Sequence, residues 1–265
     1  MIEGFASTGR CFCQEQGIVS TSCGEKGINI NNEHYETLGA ELGVEKEVLK
    51  AVALTETGSK GAFQRDNPKH ATIVYERHYF RKLIAVAQVT ETKTQVTIVA
   101  TATVLDESKT KTNIVNKPLS TKSKNRAINR TKREAAQYFS NKYPTLIGSQ
   151  GNYGTFSSQL TKLENAKKLN VSFAIQSCSW GRFQVMGKYY DMIYKTASEL
   201  EQGQNQCELQ HLALFKGYLE KFNMIQPMKD KDWNLIAYRY NGSGYKTNNY
   251  HTKMENKYNE LKRSW

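Results

Sequence analysis

The feature that most constrains how this chain can fold is a carboxylate on the apolar face of a helix. The run from Val44 to Gly58 carries Leu49, Val52 and Ala53 at helical spacing, seven, four and three residues before Glu56. Glu56 therefore joins the stripe that turns toward the core. Taking a carboxylate out of water disfavours its charged form. Gly58 reads as the helix stop, which leaves Glu56 in the last turn, where unpaired carbonyls and the negative dipole end disfavour the charge further. Both effects raise its pKa, and an acid kept protonated near neutral pH can give its proton to a leaving group. The alternative is a partly exposed glutamate reaching past the helix end, and this helix alone leaves both readings open.

At 265 residues the chain is long enough for one large domain, or one domain with an appendage. No apolar run approaches the roughly 20 residues needed to span a bilayer. The start, Met1 to Arg10, lacks a basic region followed by a continuous apolar stretch, so no signal peptide is visible. The chain is thus expected to be made in the cytoplasm, with any route outward supplied by something else. Net charge is +12, and nine basic residues with no acidic one lie between Lys109 and Arg133. Such a block attracts polyanions, whether nucleic acid, anionic lipid or bacterial wall polymers, or else is simply a solvated loop. Five cysteines, Cys11, Cys13, Cys23, Cys178 and Cys207, show no paired spacing, which argues against a disulfide framework. Cys11, Cys13 and Cys23, or Cys207 with His211 one helical turn on, lack the tight pairing of zinc sites, so no metal is expected.

Residues 1–32 are rich in Gly, Ser and Cys and read as a leading segment or linker, followed by a domain over 33–265. Helical signals run from Glu33 to about Gln88, broken at Gly43 and from Gly58 to Pro68. Val89 to Val104 is dense in β-branched residues and predicts a β-hairpin. A Ser/Thr/Lys-rich loop follows over 106–124, helix resumes near Asn125, and helices dominate after Gly154. Leu209, Leu212, Phe215, Leu219 and Phe222 form an apolar stripe. Asp230 or Asp232 can cap a helix carrying Trp233, Ile236 and Ala237, which gives out at Asn241-Gly242-Ser243-Gly244. The expected fold class is mainly α (α+β), with an insertion of hairpin and basic loop at about 89–124.

Three separated segments are dense in residues that chemistry uses. They are Glu56-Thr57-Gly58 with Tyr75-Glu76-Arg77-His78-Tyr79-Phe80, then Ser179-Trp180-Gly181-Arg182-Phe183-Gln184-Val185-Met186-Gly187, then Tyr238-Arg239-Tyr240-Asn241-Gly242-Ser243-Gly244-Tyr245 with Tyr250 beyond. Their order, a helix-terminal Glu, a Gly-x-x-Gln element and a Tyr-Asn-Gly loop, resembles lysozyme-like enzymes that cut the glycan strands of peptidoglycan. More closely, the chain resembles the N-acetylmuramidase family of phage endolysin domains and antibacterial effector domains, over roughly 35–82 and 170–262. The departures are Thr57 for the family's serine, Val185 for isoleucine, Ser243 for a frequent proline, and the insertion.

The resemblance implies a lysozyme-like helical domain and a glycoside hydrolase that acts on peptidoglycan, after N-acetylmuramic acid, with no metal or organic cofactor. Cleavage needs an acid for the leaving oxygen and a means of handling an oxocarbenium-like centre. Glu56 is the expected acid. Glu76 is the leading second carboxylate, although Glu76-Arg77-His78 equally suits a bracing ion-pair cluster. Asp66, Asp191 and Asp232 are more readily helix caps. Ser179, Gln184 and Asn241 can hydrogen-bond sugar hydroxyl and N-acetyl groups, or tie loops to the groove wall. Tyr240 can line the groove or hold Glu56. Trp180, Phe183 and Met186 suit the core, and His78 suits a structural role.

Two rivals follow. A lytic transglycosylase cuts the same bond with one essential carboxylate, and a non-catalytic wall-binding or nucleic-acid-binding module would use the basic loop, with steep salt dependence. The first is separated by product mass; the second would keep its function in Glu56→Gln. The favoured partner is peptidoglycan rather than nucleic acid, with action on the bacterial cell wall in the periplasm of a host or target cell. A phage endolysin fits this, and so does a toxin domain with secretion machinery and an immunity protein as partners.

Overall fold

The computed structural model describes residues 30–58, 61–64, 70–85, 121–151 and 153–263, with backbone alone for 121–131. The sequence-predicted hairpin at 89–104, most of the basic loop, Asp66, and Cys11, Cys13 and Cys23 lie outside these residues. The chain divides into two compact units, one of Met1–Tyr75 with Tyr153–Trp265 and one of Glu76–Asn152.

In the first unit, α1 (Asn32–Leu42) opens on a capping box. The Asn31 side chain accepts from the His34 backbone, and the His34 ring accepts from the Asn31 N–H. Gly43 ends α1 in the left-handed conformation, φ 65°. Helix α2 (Lys46–Thr57) buries Val48, Leu49, Ala51, Val52 and Ala53 completely. At about 1.5–3 kcal/mol for each fully buried Leu or Val side chain, this face alone fixes α2 at the centre of its unit. The C-terminal helix, Tyr250–Arg263, packs along α2 and contributes the buried Met254. The helix is held to Glu45, which accepts from the Tyr258 hydroxyl at 2.8 Å and pairs with Lys262 at 3.4 Å.

A small antiparallel sheet stands where helix alone was expected. Strand β1 (Ile73–Tyr75) pairs with β2 (Cys178–Trp180), and β2 with β3 (Val185–Met186), in register Ile73↔Trp180 and Ser179↔Met186. Strands of two or three residues are too short for alternation to show in the sequence, and β1 and β2 meet across more than one hundred residues of chain. Gln159, from the helix Phe156–Lys167, accepts the Tyr75 backbone N–H at 2.9 Å and so satisfies the sheet edge.

Beyond the sheet come a 3-10 segment (Gly187–Met192) and the helices Ala197–Gln206, Glu208–Lys221, Ile225–Asp230 and Trp233–Asn241. In the apolar stripe, Leu209, Phe215 and Leu219 are buried, while Leu212 and Phe222 are half-buried. Asp232, rather than Asp230, caps the helix Trp233–Asn241 by accepting the Leu235 N–H at 3.0 Å.

In the second unit, residues 77–85 are helical and a long helix runs Thr121–Lys142. The expected loop to Lys124 therefore ends earlier: Lys122, Lys124 and Arg126 are good helix formers and extend the helix back to Thr121. The Arg77 guanidinium donates to the Pro144 carbonyl and lies against Gly148, where a Cβ would displace it. Among the described residues no helix is long and apolar enough to cross a membrane.

Candidate active site

Glu56 lies one residue before the end of α2, and Gly58 stops the helix with φ 54° while donating its N–H to Leu54. The side chain is half-buried, following Leu49, Val52 and Ala53 on the inward face. Burial pushes its carboxyl up to about 8, against a smaller opposing effect from Asn241. Asn241 Nδ2 donates to Glu56 Oε1 at 3.5 Å, across 185 residues of sequence. Asn241 is the last residue of the helix Trp233–Asn241, which ends at Gly242, φ 72°. Thus two helix C-termini bring together an acid from one motif and an amide from another.

Tyrosines surround this pair. Tyr240 packs edge-on against Tyr218 at 5.2 Å and against Phe215 at 6.2 Å, and its hydroxyl donates to the Phe183 carbonyl. The Tyr240 phenol therefore holds the β2–β3 turn rather than Glu56 itself. Phe183 stacks on Phe215 at 4.1 Å, and the Tyr218 hydroxyl donates to the Arg239 carbonyl at 3.1 Å. Burial raises the phenols of Tyr240, Tyr218 and Tyr250 above their ordinary value, Tyr250 to about 12, and the Glu56 charge contributes to all three. All three tyrosines are neutral hydroxyls at working pH. Tyr218 was not singled out from the sequence, where it is one more aromatic in a helical stripe.

The turn between β2 and β3 is shaped by its own residues. Gly181 has φ 66°, and a Cβ there would meet the His211 ring at 2.5 Å. Gln184 takes φ 50° without being glycine; its amide nitrogen donates to Gly181 O at 2.7 Å and Thr72 O at 3.2 Å, tying the turn to the residue before β1. Gln184 Oε1 is buried without a protein donor. The Ser179 hydroxyl contacts Met186 Sδ at 3.2 Å across the strand pair. Trp180 and Phe183 are core residues, and Met186 is half-buried.

His211 accepts the Arg182 N–H on Nδ1 at 3.1 Å and lies 2.6 Å from the Gln204 carbonyl through Nε2, so both nitrogens are satisfied by the protein in the neutral form. Burial lowers its pKa to about 4. Cys178 and Cys207 are buried. Among the described residues no group of three or more His, Cys, Asp or Glu is arranged to hold a metal.

Glu208, absent from the sequence-level candidates, is fully buried. Its Oε1 accepts from Arg182 Nε at 2.9 Å and Nη2 at 2.5 Å, and its Oε2 from the Ile30 N–H at 2.5 Å. Of the other acids, Asp191 is exposed and pairs with Lys221 at 3.4 Å, and Asp232 is a cap. Glu76 belongs to the unit Glu76–Asn152, where His78 Nδ1 lies 3.1 Å from its Oε2.

No curated protein matches the chain. The crystal structure of Burkholderia AP3 phage endolysin is similar in fold, with a TM-score of 0.64 at 20% sequence identity, over 91% of this chain and 75% of that one. This likeness places the helical architecture and small sheet among lysozyme-like endolysin folds. The sequence profile described as Muramidase, N-acetylmuramidase, matches residues 45–262, from the residue before α2 almost to the end of the last helix. Glu56, the β2–β3 turn and Asn241 all fall within that span, and the chain accordingly belongs to the N-acetylmuramidase family, glycoside hydrolases that act on peptidoglycan.

Proposed function

We propose that the protein hydrolyses the glycan strand of peptidoglycan after N-acetylmuramic acid, with Glu56 as the general acid. The observation that carries this reading is the half-buried Glu56 carboxyl, pushed up to about 8 by desolvation and bonded by Asn241. At neutral pH it holds a proton, and Asn241 engages Oε1, leaving Oε2 to carry it. Glu56 gives that proton to the glycosidic oxygen as the C1–O bond breaks and positive charge develops at C1. A water adds to C1, and its proton goes to Glu56 in its deprotonated form, which restores the acid. The neutral phenols of Tyr218, Tyr240 and Tyr250 keep the surroundings of Glu56 poor in water without adding negative charge.

Asn241 and Tyr240, with Ser179 and Gln184 from the β2–β3 pair, are assigned to the groove. Gln184 Oε1, which lacks a protein donor, suits an N-acetyl N–H. We infer a setting of wall lysis on the endolysin pattern. An effector setting would require an immunity protein, which pull-down from the source cell would reveal.

One observation favours a second reading. Burial raises Glu56, and no other carboxylate among the described residues contributes to that shift. A single acid suffices for a lytic transglycosylase, in which the muramic acid C6 hydroxyl attacks C1 and returns its proton to Glu56. Digestion of purified peptidoglycan with mass analysis of the fragments separates the cases. Wild type is expected to release reducing muropeptides, and Glu56→Gln to lose about 10²- to 10⁴-fold in rate. Anhydro ends would replace hydrolysis by transglycosylation, and undiminished activity in Glu56→Gln would remove the acid assignment.

A further inference from the structure

Next to Asn241 lies a cluster of rings, Tyr238 exposed and Tyr245 and His251 half-buried, that neither the core nor the acid chemistry requires. Tyr238 is 52% exposed, one helical turn before Asn241 on the same helix. Its ring meets Tyr245 edge-on at 6.1 Å, and Tyr245 meets His251 edge-on at 5.5 Å. The Tyr245 hydroxyl donates to Asn234 Oδ1 at 3.3 Å, which fixes the ring over the outer face of the helix. Exposing a tyrosine ring forfeits the hydrophobic gain of burying it, so Tyr238, exposed and linked to two half-buried rings, stands out from scattered apolar exposure.

Three further observations point to what covers them. A Cβ on Gly242 or Gly244 would meet no atom within 4 Å, so the loop beside the rings faces open space. The patch is continuous with Glu56 through Asn241, whose side chain reaches the carboxyl. Two cations fringe it: Lys246 Nζ is 5.9 Å from the Tyr245 ring centre, and Lys253 Nζ is 5.6 Å from that of Tyr250.

We propose that Tyr238, Tyr245 and His251 form a distal glycan subsite, a stacking platform for a pyranose ring of the strand beyond the sugars held at Glu56. The C–H face of a pyranose packs on an aromatic ring, and the rim lysines suit a strand that bears carboxylates on its stem peptides or, where these are removed, on its muramic acid lactyl groups. The platform deepens the reading of Glu56 as the acid and rests on it for its direction along the strand. It gives the enzyme a grip on polymer that a short fragment does not reach.

The test uses the full chain carrying Glu56→Gln, so that binding is measured without cleavage. Peptide-free glycan strands of graded length are titrated calorimetrically against this protein and against versions that also carry Tyr238→Ala or Tyr238→Phe. Affinity should rise with strand length, Tyr238→Ala should remove that rise and weaken long-strand binding about tenfold, and Tyr238→Phe should keep it. Because Tyr238 is exposed, unchanged thermal melting is the fold control. Equal long-strand affinity in Tyr238→Ala would overturn the platform, as would a change confined to self-association on sedimentation, which would make the face a contact between copies. Separately, wild type and Glu56→Gln are compared for cleavage of the same strands. Loss of the acid assignment shows there, and loss of the platform shows only in binding.

Discussion

At the scale of the residue, the argument turns on one proton. A Glu56 pKa of about 8 means that the competent, protonated form dominates at neutral pH and is lost as pH rises through that value. Turnover of wild type on soluble glycan fragments is therefore expected to hold up to about pH 7 and to fall above about pH 8. Asn241 works against the shift, because its amide donor favours the charged carboxylate. Asn241→Ala should move the alkaline limb upward while lowering the rate through poorer positioning of Oε1. A pH profile of kcat for both proteins checks this, and an unmoved limb would mean that some other group sets it. The position of Glu56 on an inward helix face is legible in sequence, since the apolar residues three, four and seven positions earlier fix it. Its partnership with Asn241 is not, because the two meet across 185 residues and only the assembled fold brings them together.

At the scale of the element, the β2–β3 turn is held from behind by the Arg182–Glu208 pair. Glu208 opens the helix Glu208–Lys221, where the dipole favours its charge, yet burial raises its pKa and Arg182 opposes that rise. Removing one partner from a buried ion pair costs about 3–5 kcal/mol, because the other is left uncompensated. Arg182→Leu should destabilise the fold by about that amount, and the double variant Arg182→Leu/Glu208→Leu should recover much of it. Urea unfolding of the three proteins measures the difference, and equal stability of the single and double variants would rule out a coupled pair. The same turn shows where sequence reading stops. Helix Lys46–Thr57 and the Asp232 cap follow from spacing and capping chemistry, whereas strands of two or three residues carry no period and exist only because their partners lie beside them. Arg182 stood inside a recognised motif, but no local signal tied it to Glu208.

At the scale of the whole molecule, the boundary of the domain is set by what the first described residues do. Sequence composition puts the start of the domain at residue 33, yet Ile30 is buried, its N–H donates to Glu208 at 2.5 Å, and Asn31 caps α1. Cutting between 32 and 33 would remove the cap, worth about 1 kcal/mol. It would also remove the apolar contact of Ile30, worth about 1.5–3 kcal/mol when fully buried. Glu208 would then have Arg182 as its remaining donor, so the loss falls on the ion pair that supports the β2–β3 turn. A chain lacking residues 1–27 is therefore the reference against which the loss of Ile30 and Asn31 is read. One lacking residues 1–32 should unfold at lower denaturant and lose rate in proportion to its unfolded fraction. Denaturant melts and turbidity loss of wall suspensions read both quantities. If the two shortened chains matched, Ile30 and Asn31 would be dispensable, and the helix and turn that frame Glu56 would owe their stability to the buried face of α2 and the C-terminal helix alone.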